Sequence, residues 1–131
     1  MNKKIYLAIP FSKIEELSFA CANEVAAILI KEGHFVFSPI SHSYPIEKTN
    51  LVESTYNLWL RLDKAFVDWA EEIWVINILG HDGHKLIANS RGVQQEMKWA
   101  AEQNKPVIII NYNPLIKQIT GYERVHLHQT A

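Results

Sequence analysis

A chain of 131 residues with 48% hydrophobic and 21% charged side chains predicts one globular domain over residues 1–131. Thirteen basic and fourteen acidic residues leave a formal net charge of -1, which argues against a general attraction to nucleic acid or to a membrane surface. No stretch reaches the roughly 18 apolar residues that a membrane span needs, so we expect a cytoplasmic protein. The single cysteine, Cys21, lies in a helical apolar pattern and is predicted to be a buried structural thiol.

The first half of the chain predicts two strands, two helices and one long loop. Residues 4–9 form a continuous apolar run that ends at a proline, which is typical of a buried strand. Residues 14–32 carry apolar side chains at helical spacing and stop before a glycine, so we predict a helix there and a second strand over 34–38. Residues 39–50 contain two prolines among Ser and Asn residues and are predicted to be a loop. A second helix is expected over 54–70.

The second half continues this alternation of strands and helices. A third strand is predicted over 72–78, a second long loop over 79–91 and a third helix over about 92–103. Residues 105–110 predict a fourth strand, and residues 124–128 are compatible with a short edge strand.

Apolar strands that alternate with amphipathic helices indicate the α/β class, with a parallel sheet covered by helices on both faces. Right-handed crossovers then give a three-layer αβα architecture with a small doubly wound sheet of four or five strands, flavodoxin-like or Rossmann-like. Ligands of such folds bind beyond the carboxyl ends of the strands. Three segments should therefore converge at the site: 10–12, 39–50 and 79–92.

Glu96 is the first candidate residue, because it lies one turn into the third predicted helix. The buried stripe of that helix is predicted to consist of Val93, Met97, Ala100 and Ala101. Its angle around the helix makes Glu96 no more buried than Gln94, so the simpler interpretation is a surface acid. The alternative is a ligand-facing carboxylate, since side chains lean toward the helix N-terminus and could reach the loop above.

Asp63 is the second candidate, because its neighbours one turn away are all apolar. These neighbours are Trp59, Leu60, Phe66 and Val67. A carboxyl group in such surroundings loses hydration and should have a raised pKa unless it is paired or hydrogen-bonded. Acids in that setting are candidates for a functional site. The alternative is a structural acid that accepts a bond from a backbone amide or an arginine.

Polar side chains near the predicted strand and helix ends are further candidates. Tyr6 carries a hydroxyl that needs a partner if the first strand is buried. Ser12 follows that strand, and Ser90 with Gly92 stands at the start of the third helix, where N–H groups and hydroxyls can bind anions. The simpler interpretations are a core tyrosine and two helix caps. The chain has neither GxGxxG after the first strand nor GxxxxGK[ST], so dinucleotide and P-loop sites lose their main support.

Two histidine-containing segments suggest a metal site. His81, Asp82 and His84 are close together in a predicted loop, and His126 and His128 lie near the end of the chain. Neither segment has the fixed geometry of a helix or strand that metal ligands need, so we predict no metal site. A metal-dependent hydrolase that uses the first cluster is kept as the weakest alternative.

Four segments in this order carry a resemblance to a known family: IYLAIPFS (5–12), VFSPISHSYPI (36–46), DKAFVDWAEEIWVI (63–76) and SRGVQQE (90–96). The last is similar to an S-x-G-x-x-x-E stretch that bears a nucleophilic glutamate. Together they resemble the nucleoside 2-deoxyribosyltransferase superfamily, and within it a small bacterial family of deoxyribosyltransferase-like proteins. The resemblance covers about residues 4–110.

The resemblance implies a catalytic set of three residues. Glu96 would be the nucleophile that attacks C1′ of a 2′-deoxyribonucleoside or its 5′-monophosphate, Asp63 would contact and protonate the leaving base, and Tyr6 would orient Glu96. The substrate-binding candidates are Pro10, Phe11, Ser12, Ser41, His42, Trp59, Ser90 and Gly92. Among these, Ser90, Gly92 and the 10–12 turn would hold the sugar 5′ end or a phosphate. Independently of the resemblance, Trp59 is either a core or interface tryptophan or a ring that stacks on a base.

The leading hypothesis is therefore an N-glycosidase or deoxyribosyltransferase that needs no cofactor and acts on a small-molecule nucleoside or nucleotide. Transferase members of the superfamily often carry Asp where this chain has Ser90, and similar Ser-bearing members act on nucleoside monophosphates, which favours a 5′-phosphate and hydrolysis. The alternative is a non-catalytic nucleotide-binding module of the same fold. Relatives commonly complete their sites with a neighbouring subunit, so we expect a homo-oligomer.

Overall fold

The computed structural model of the chain describes residues 2–126, which form a five-stranded sheet with helices on both faces. The strands are β1 (Lys4–Ala8), β2 (Phe35–Phe37), β3 (Glu72–Ile78), β4 (Val107–Asn113) and β5 (Gln118–Val125). Their order is β2-β1-β3-β4-β5, and the first four are parallel. This is the flavodoxin-like order, so the predicted α/β class and doubly wound sheet are confirmed.

The fifth strand differs from the prediction. β5 pairs with β4 in the antiparallel direction and begins at Gln118, whereas an edge strand was expected over 124–128. The turn after β4 is short, and a short turn can join only antiparallel neighbours. Residues 127 and 128 lie outside the described part of the chain.

Five helices connect the strands: α1 (Glu15–Lys31), α2 (Pro39–Glu47), α3 (Tyr56–Trp69), α4 (Gly83–Asn89) and α5 (Arg91–Glu102). The α1 side chains Cys21, Val25 and Leu29 pack on one face of the sheet. Side chains of α3, α4 and α5 pack on the opposite face. Cys21 is 1% exposed, and burial raises its pKa to about 11, so the prediction of a buried thiol is confirmed.

The predicted loop over 39–50 is wrong, because most of it is the helix α2. Pro39 lies at the first helical position, where a missing N–H costs nothing, although Pro45 does interrupt the helix interior. Tertiary contacts outweigh that interruption: Ile40 packs against the α1 core and the Tyr44 ring contacts Phe11.

The predicted loop over 79–91 is also wrong in part, because it contains the short helix α4. Asp82 adopts a left-handed backbone (φ 52°) just before it. Gly83 then packs so closely on β3 that a Cβ would lie 1.6 Å from Asn77 Oδ1. Ile87 of α4 is buried. This segment is therefore held in place by long-range contacts, which the local sequence does not reveal.

Among the described residues, no helix combines the length and the hydrophobicity needed to cross a bilayer. The cytoplasmic location and the homo-oligomer stay predictions.

Candidate active site

A cavity of about 370 Å³ lies beyond the carboxyl end of β1, where the strand order reverses between β1 and β3. Ile9, Phe11 and Ser12 contribute from the connection after β1, and Pro39 and Ile40 contribute from the start of α2. The rest of the wall comes from α3 and from the first turns of α5. This is the position at which doubly wound folds bind their ligands.

Glu96 reaches this cavity from α5 and is almost completely buried. It is 7% exposed, whereas Gln94 is exposed, so the expectation that the two are equally buried is wrong. The Tyr6 hydroxyl, on the adjacent strand β1, donates a hydrogen bond to Glu96 Oε2. The buried arc of α5 is wider than its apolar stripe because α3 packs across the same helix. That contact between distant segments cannot be read from a helical angle.

The environment of Glu96 favours its neutral form. Burial raises its pKa to about 8, the Tyr6 hydrogen bond lowers it and the charge of Asp63 raises it. Burial also raises the pKa of Tyr6 well above 10, so the phenol stays protonated and remains a donor. No Lys or Arg within residues 2–126 forms an ion pair with Glu96.

Asp63 faces the same cavity from α3. Its Oδ1 is buried and has no hydrogen-bond partner within the described chain, so the interpretation as a structural acid bonded to an amide or an arginine is not supported. Burial raises the pKa of Asp63 to about 7. An unpartnered carboxyl in a cavity is costly for the fold and is a signal of function.

The start of α5 forms one rim of the cavity. Ser90 Oγ accepts a hydrogen bond from the Val93 N–H at 3.2 Å, so the interpretation of Ser90 as a helix cap is confirmed. Gly92 lines the cavity, and a Cβ there would meet nothing within 4 Å. Arg91 lies between them with its guanidinium carbon 3.7 Å from the centre of the Tyr56 ring. A cation therefore stands at the mouth of the site.

Ser12 lines the cavity but is not a helix cap. The residue at the N-cap of α1 is Ile14, which makes no side-chain cap hydrogen bond. The cap interpretation of Ser12 is therefore wrong.

Four predicted residues do not line this cavity. Tyr6 is fully buried behind Glu96, and the Pro10 carbonyl accepts a hydrogen bond from Ser18. Ser41 exchanges a hydrogen bond of 2.7 Å with Ser38, and the His42 ring packs on the aromatic rings of β2 and α3. These two were expected on a loop, and the helix α2 instead presents Pro39 and Ile40 to the cavity. For Pro10, Ser41 and His42 the prediction of a place on the wall is therefore wrong.

Several wall residues were not predicted. Tyr56, Leu60, Arg91 and Trp99 line the cavity together with the predicted Trp59. Trp59 and Asp63 are one turn apart on α3. Tyr56 lies three residues before Trp59, and Leu60 lies three residues before Asp63. Helical spacing from Asp63 could therefore have identified Tyr56 and Leu60 as wall residues. The Arg91–Tyr56 contact joins two helices and has no local signal.

The histidine segments do not form a metal centre in the described part of the chain, where no group of three His, Cys, Asp or Glu side chains could hold an ion. His84 Nε2 lies 3.3 Å from Asn77 Nδ2 and 3.8 Å from Glu123. The residues Asp82 and Gly83 form the turn into α4, which gives this segment a structural role. His128 lies outside the described residues.

Residues 3–112 match the model of a family described as a domain of unknown function (DUF1937). Among solved structures, the chain is similar to a 2-deoxyribosyltransferase from the psychrotolerant bacterium Bacillus psychrosaccharolyticus, with a TM-score of 0.54 and 22% identity. That similarity covers 87% of this chain and 73% of the other, and at this identity it establishes the fold. No protein of curated function matches the sequence. The chain therefore belongs to the DUF1937 family and shares the fold of that 2-deoxyribosyltransferase.

Proposed function

We propose that this protein is an N-glycosidase that cleaves the base–sugar bond of a nucleoside 5′-monophosphate or nucleoside through a covalent glycosyl–Glu96 intermediate. The observation that carries the proposal is the pair of buried carboxyls on one cavity, with the Tyr6 hydroxyl donating to Glu96. The solved deoxyribosyltransferase that shares the fold supports this class of chemistry.

The first step joins the sugar to the protein. A carboxylate oxygen of Glu96 attacks C1′, the C1′–N bond breaks, and its electron pair moves to the base nitrogen, which takes the proton of Asp63. In the second step water attacks C1′ of the ester and gives its proton to Asp63. The Glu96 carboxylate leaves, so both groups return to their starting states. A second base in place of water would make the same site a transferase.

The first step needs the ionised form of Glu96 and the protonated form of Asp63. Their pKa values, about 8 and about 7, lie close enough that one proton can occupy either carboxyl. The Tyr6 hydrogen bond already lowers the pKa of Glu96, which still stays above that of Asp63, so the single proton lies mostly on Glu96. Because Asp63 has no such bond, Tyr6 increases the fraction of the pair that carries the proton on Asp63. The reactive form is therefore the pair that carries one proton, on Asp63.

Arg91 favours a phosphorylated substrate. Its guanidinium is held over the Tyr56 ring at the rim. Arg91 is also the first residue of α5, and no acidic residue lies in the first turn of that helix. A 5′-phosphate placed there would meet a cation and the positive end of a helix. The deoxyribosyltransferases that this chain resembles often carry Asp at the position of Ser90. The serine in this chain leaves the rim without that negative charge.

Incubation with nucleosides and nucleoside 5′-monophosphates tests the proposal. Chromatography should detect free base from the wild-type protein and none from Glu96→Ala, while mass spectrometry should detect a pentosyl or phosphopentosyl adduct on Glu96. The matched control is Glu24→Ala, which removes the other glutamate that accepts a bond from a buried tyrosine. Nucleotide binding without base release from any common substrate would replace the enzyme with a non-catalytic binding module.

A further inference from the structure

A second, smaller cavity of about 140 Å³ lies between α2 and α3 and adjoins the candidate active site. The two cavities share the side chains of Phe11, Pro39, Ile40, Trp59 and Asp63. Glu96 lines only the larger one. A substrate whose C1′ meets Glu96 can therefore extend its base past Asp63 into the smaller cavity.

The walls of the smaller cavity suit a flat ring. One face of α2 lines it, through the positions 39, 40, 43, 44 and 47, and Trp59 lines it from α3. The Tyr44 ring packs edge-on against Phe11 at 5.1 Å, and its hydroxyl donates to Glu16 at 2.5 Å. These contacts hold the aromatic wall in place before a ligand arrives.

Glu47 provides a polar group in this mostly apolar cavity, and a hydrogen-bond relay holds it in place. Trp59 Nε1 donates to Ser54 Oγ at 2.7 Å, and Ser54 Oγ donates to Glu47 Oε2 at 2.6 Å. Within residues 2–126, Oε1 of Glu47 has no hydrogen-bond partner. The adjacent Lys48 is bonded to Glu16 instead, at 3.1 Å. Glu47 thus keeps a free acceptor that attracts N–H donors and repels carbonyl oxygens.

We propose that the smaller cavity binds the nucleobase, that it takes a single-ring base, and that Glu47 selects a base with an exocyclic amino group, as in cytosine. This inference rests on the proposed function. The size argument is that a cavity of about 150 Å³ accepts one benzene-sized ring. The charge argument is that the Glu47 carboxylate pairs with an amino group and not with the carbonyl that uracil has at the same ring position.

The test compares ligands that differ only at that ring position. Deoxycytidine and deoxyuridine 5′-monophosphates are titrated by calorimetry into a Glu96→Gln background, in which base release cannot deplete the ligand. We expect the cytosine compound to bind about 10- to 100-fold more tightly. Adding Glu47→Gln should bring the two affinities within a few-fold of each other. Glu53→Gln, which removes an exposed charge from the connection before α3, should leave the ratio unchanged.

Ser54→Ala provides a second variant that does not alter the cavity wall. Because Ser54 positions Glu47 and Trp59 without lining the cavity, its loss should reduce the affinity ratio while leaving kcat for the cytosine compound nearly unchanged.

Three outcomes would overturn the inference: equal affinities in the background protein, a ratio that survives Glu47→Gln, or a purine nucleotide that binds as tightly as the cytosine compound. None of them would affect the proposed function, which stands or falls on Glu96-dependent base release by the wild-type chain. Absence of that release would overturn the proposed function whatever the binding ratio.

Discussion

Two tyrosines in the sheet donate hydrogen bonds from their hydroxyls to glutamates on helices that cover opposite faces of the sheet. Tyr6 donates to Glu96 on α5, and Tyr112 donates to Glu24 on α1 at 2.5 Å. Both phenols are fully buried, and burial raises the pKa of each. The two pairs are chemically identical, so any difference in what they do must come from their surroundings.

The surroundings differ in solvent, in charge and in space. The Glu24 side chain is 28% exposed and has Lys117 Nζ at 3.9 Å, whereas Glu96 is buried, lacks a cationic partner among the described residues and faces a cavity shared with Asp63. A carboxylate with water and a cation is satisfied and serves to fasten α1 to β4. A carboxylate without either is destabilised and available to a ligand. Environment therefore separates a pair that is satisfied within the fold from one that is available to a ligand.

The largest effect is expected from Asp63→Asn, because Asp63 is the neighbour that Glu96 has and Glu24 lacks. Removing the proton donor of the leaving base should lower kcat for base release by about 10²- to 10⁴-fold. The measurement is the rate of base release from a nucleoside 5′-monophosphate. Asp68→Asn on the same helix is the control, since Asp68 is exposed and bonded to Lys64. Equal losses in both variants would mean that Asp63 acts through the stability of α3.

The next largest effect distinguishes the two tyrosines. Tyr6→Phe should lower kcat by roughly 10- to 100-fold, because the hydrogen bond that favours the ionised form of Glu96 is lost. The pH profile provides the decisive readout: without that bond the pKa of Glu96 rises, so the rise in rate should move to higher pH.

Tyr112→Phe is the matched control for Tyr6→Phe. It should lower the free energy of unfolding by about 1 kcal/mol, as Tyr6→Phe should, while leaving both kcat and the pH profile unchanged. An activity loss of the same size in Tyr112→Phe would erase the distinction between the pairs.

A third prediction concerns stability as a function of pH. The pKa of Glu96 is raised by burial from its ordinary value of 4.5 to about 8, so the folded protein holds a proton that the unfolded chain releases. The stabilising effect is complete below about pH 4.5 and is lost as pH rises to about 8. In the wild-type protein, Glu96 should therefore lower the free energy of unfolding by roughly 2 to 4 kcal/mol as the pH rises from 5 to 8.5. This contribution should be absent from Glu96→Gln.

Urea denaturation at several pH values measures this slope, and Glu24→Gln supplies the comparison. That substitution should leave the decrease nearly as in the wild-type protein. A wild-type free energy of unfolding that is flat from pH 5 to pH 8.5 would contradict the raised pKa of Glu96.

The parts of the site that the sequence could predict are those with a local signal. β3 was predicted over its full extent, because a continuous apolar run between turn residues depends only on its own residues. Asp63 was identified because its apolar neighbours lie one helical turn away along the chain. The burial of Glu96 had no such signal, since it depends on how α3 crosses α5.

Segments held by distant contacts were beyond the reach of local patterns. The helix α2 forms despite Pro45 in its interior, because Ile40 and Tyr44 pack on other elements. Because α2 was predicted to be a loop, Glu47 was not identified as a wall residue. Arg91 was not singled out from the sequence, because its ring partner Tyr56 lies on another helix.

The smallest effect is expected at Lys117, and it tests the structural half of the comparison. Lys117 is mostly exposed and lies 3.9 Å from Glu24, so its charge is screened by solvent. Lys117→Ala should change the free energy of unfolding by less than about 0.5 kcal/mol and should not alter base release. Thermal denaturation and the base-release assay measure the two quantities. If Lys117→Ala instead destabilised the fold strongly, Glu24 would depend on its cation. The satisfied state of the Tyr112–Glu24 pair would then come from charge neutralisation and not from solvent. In that case a cation placed near Glu96 should silence the reactive pair.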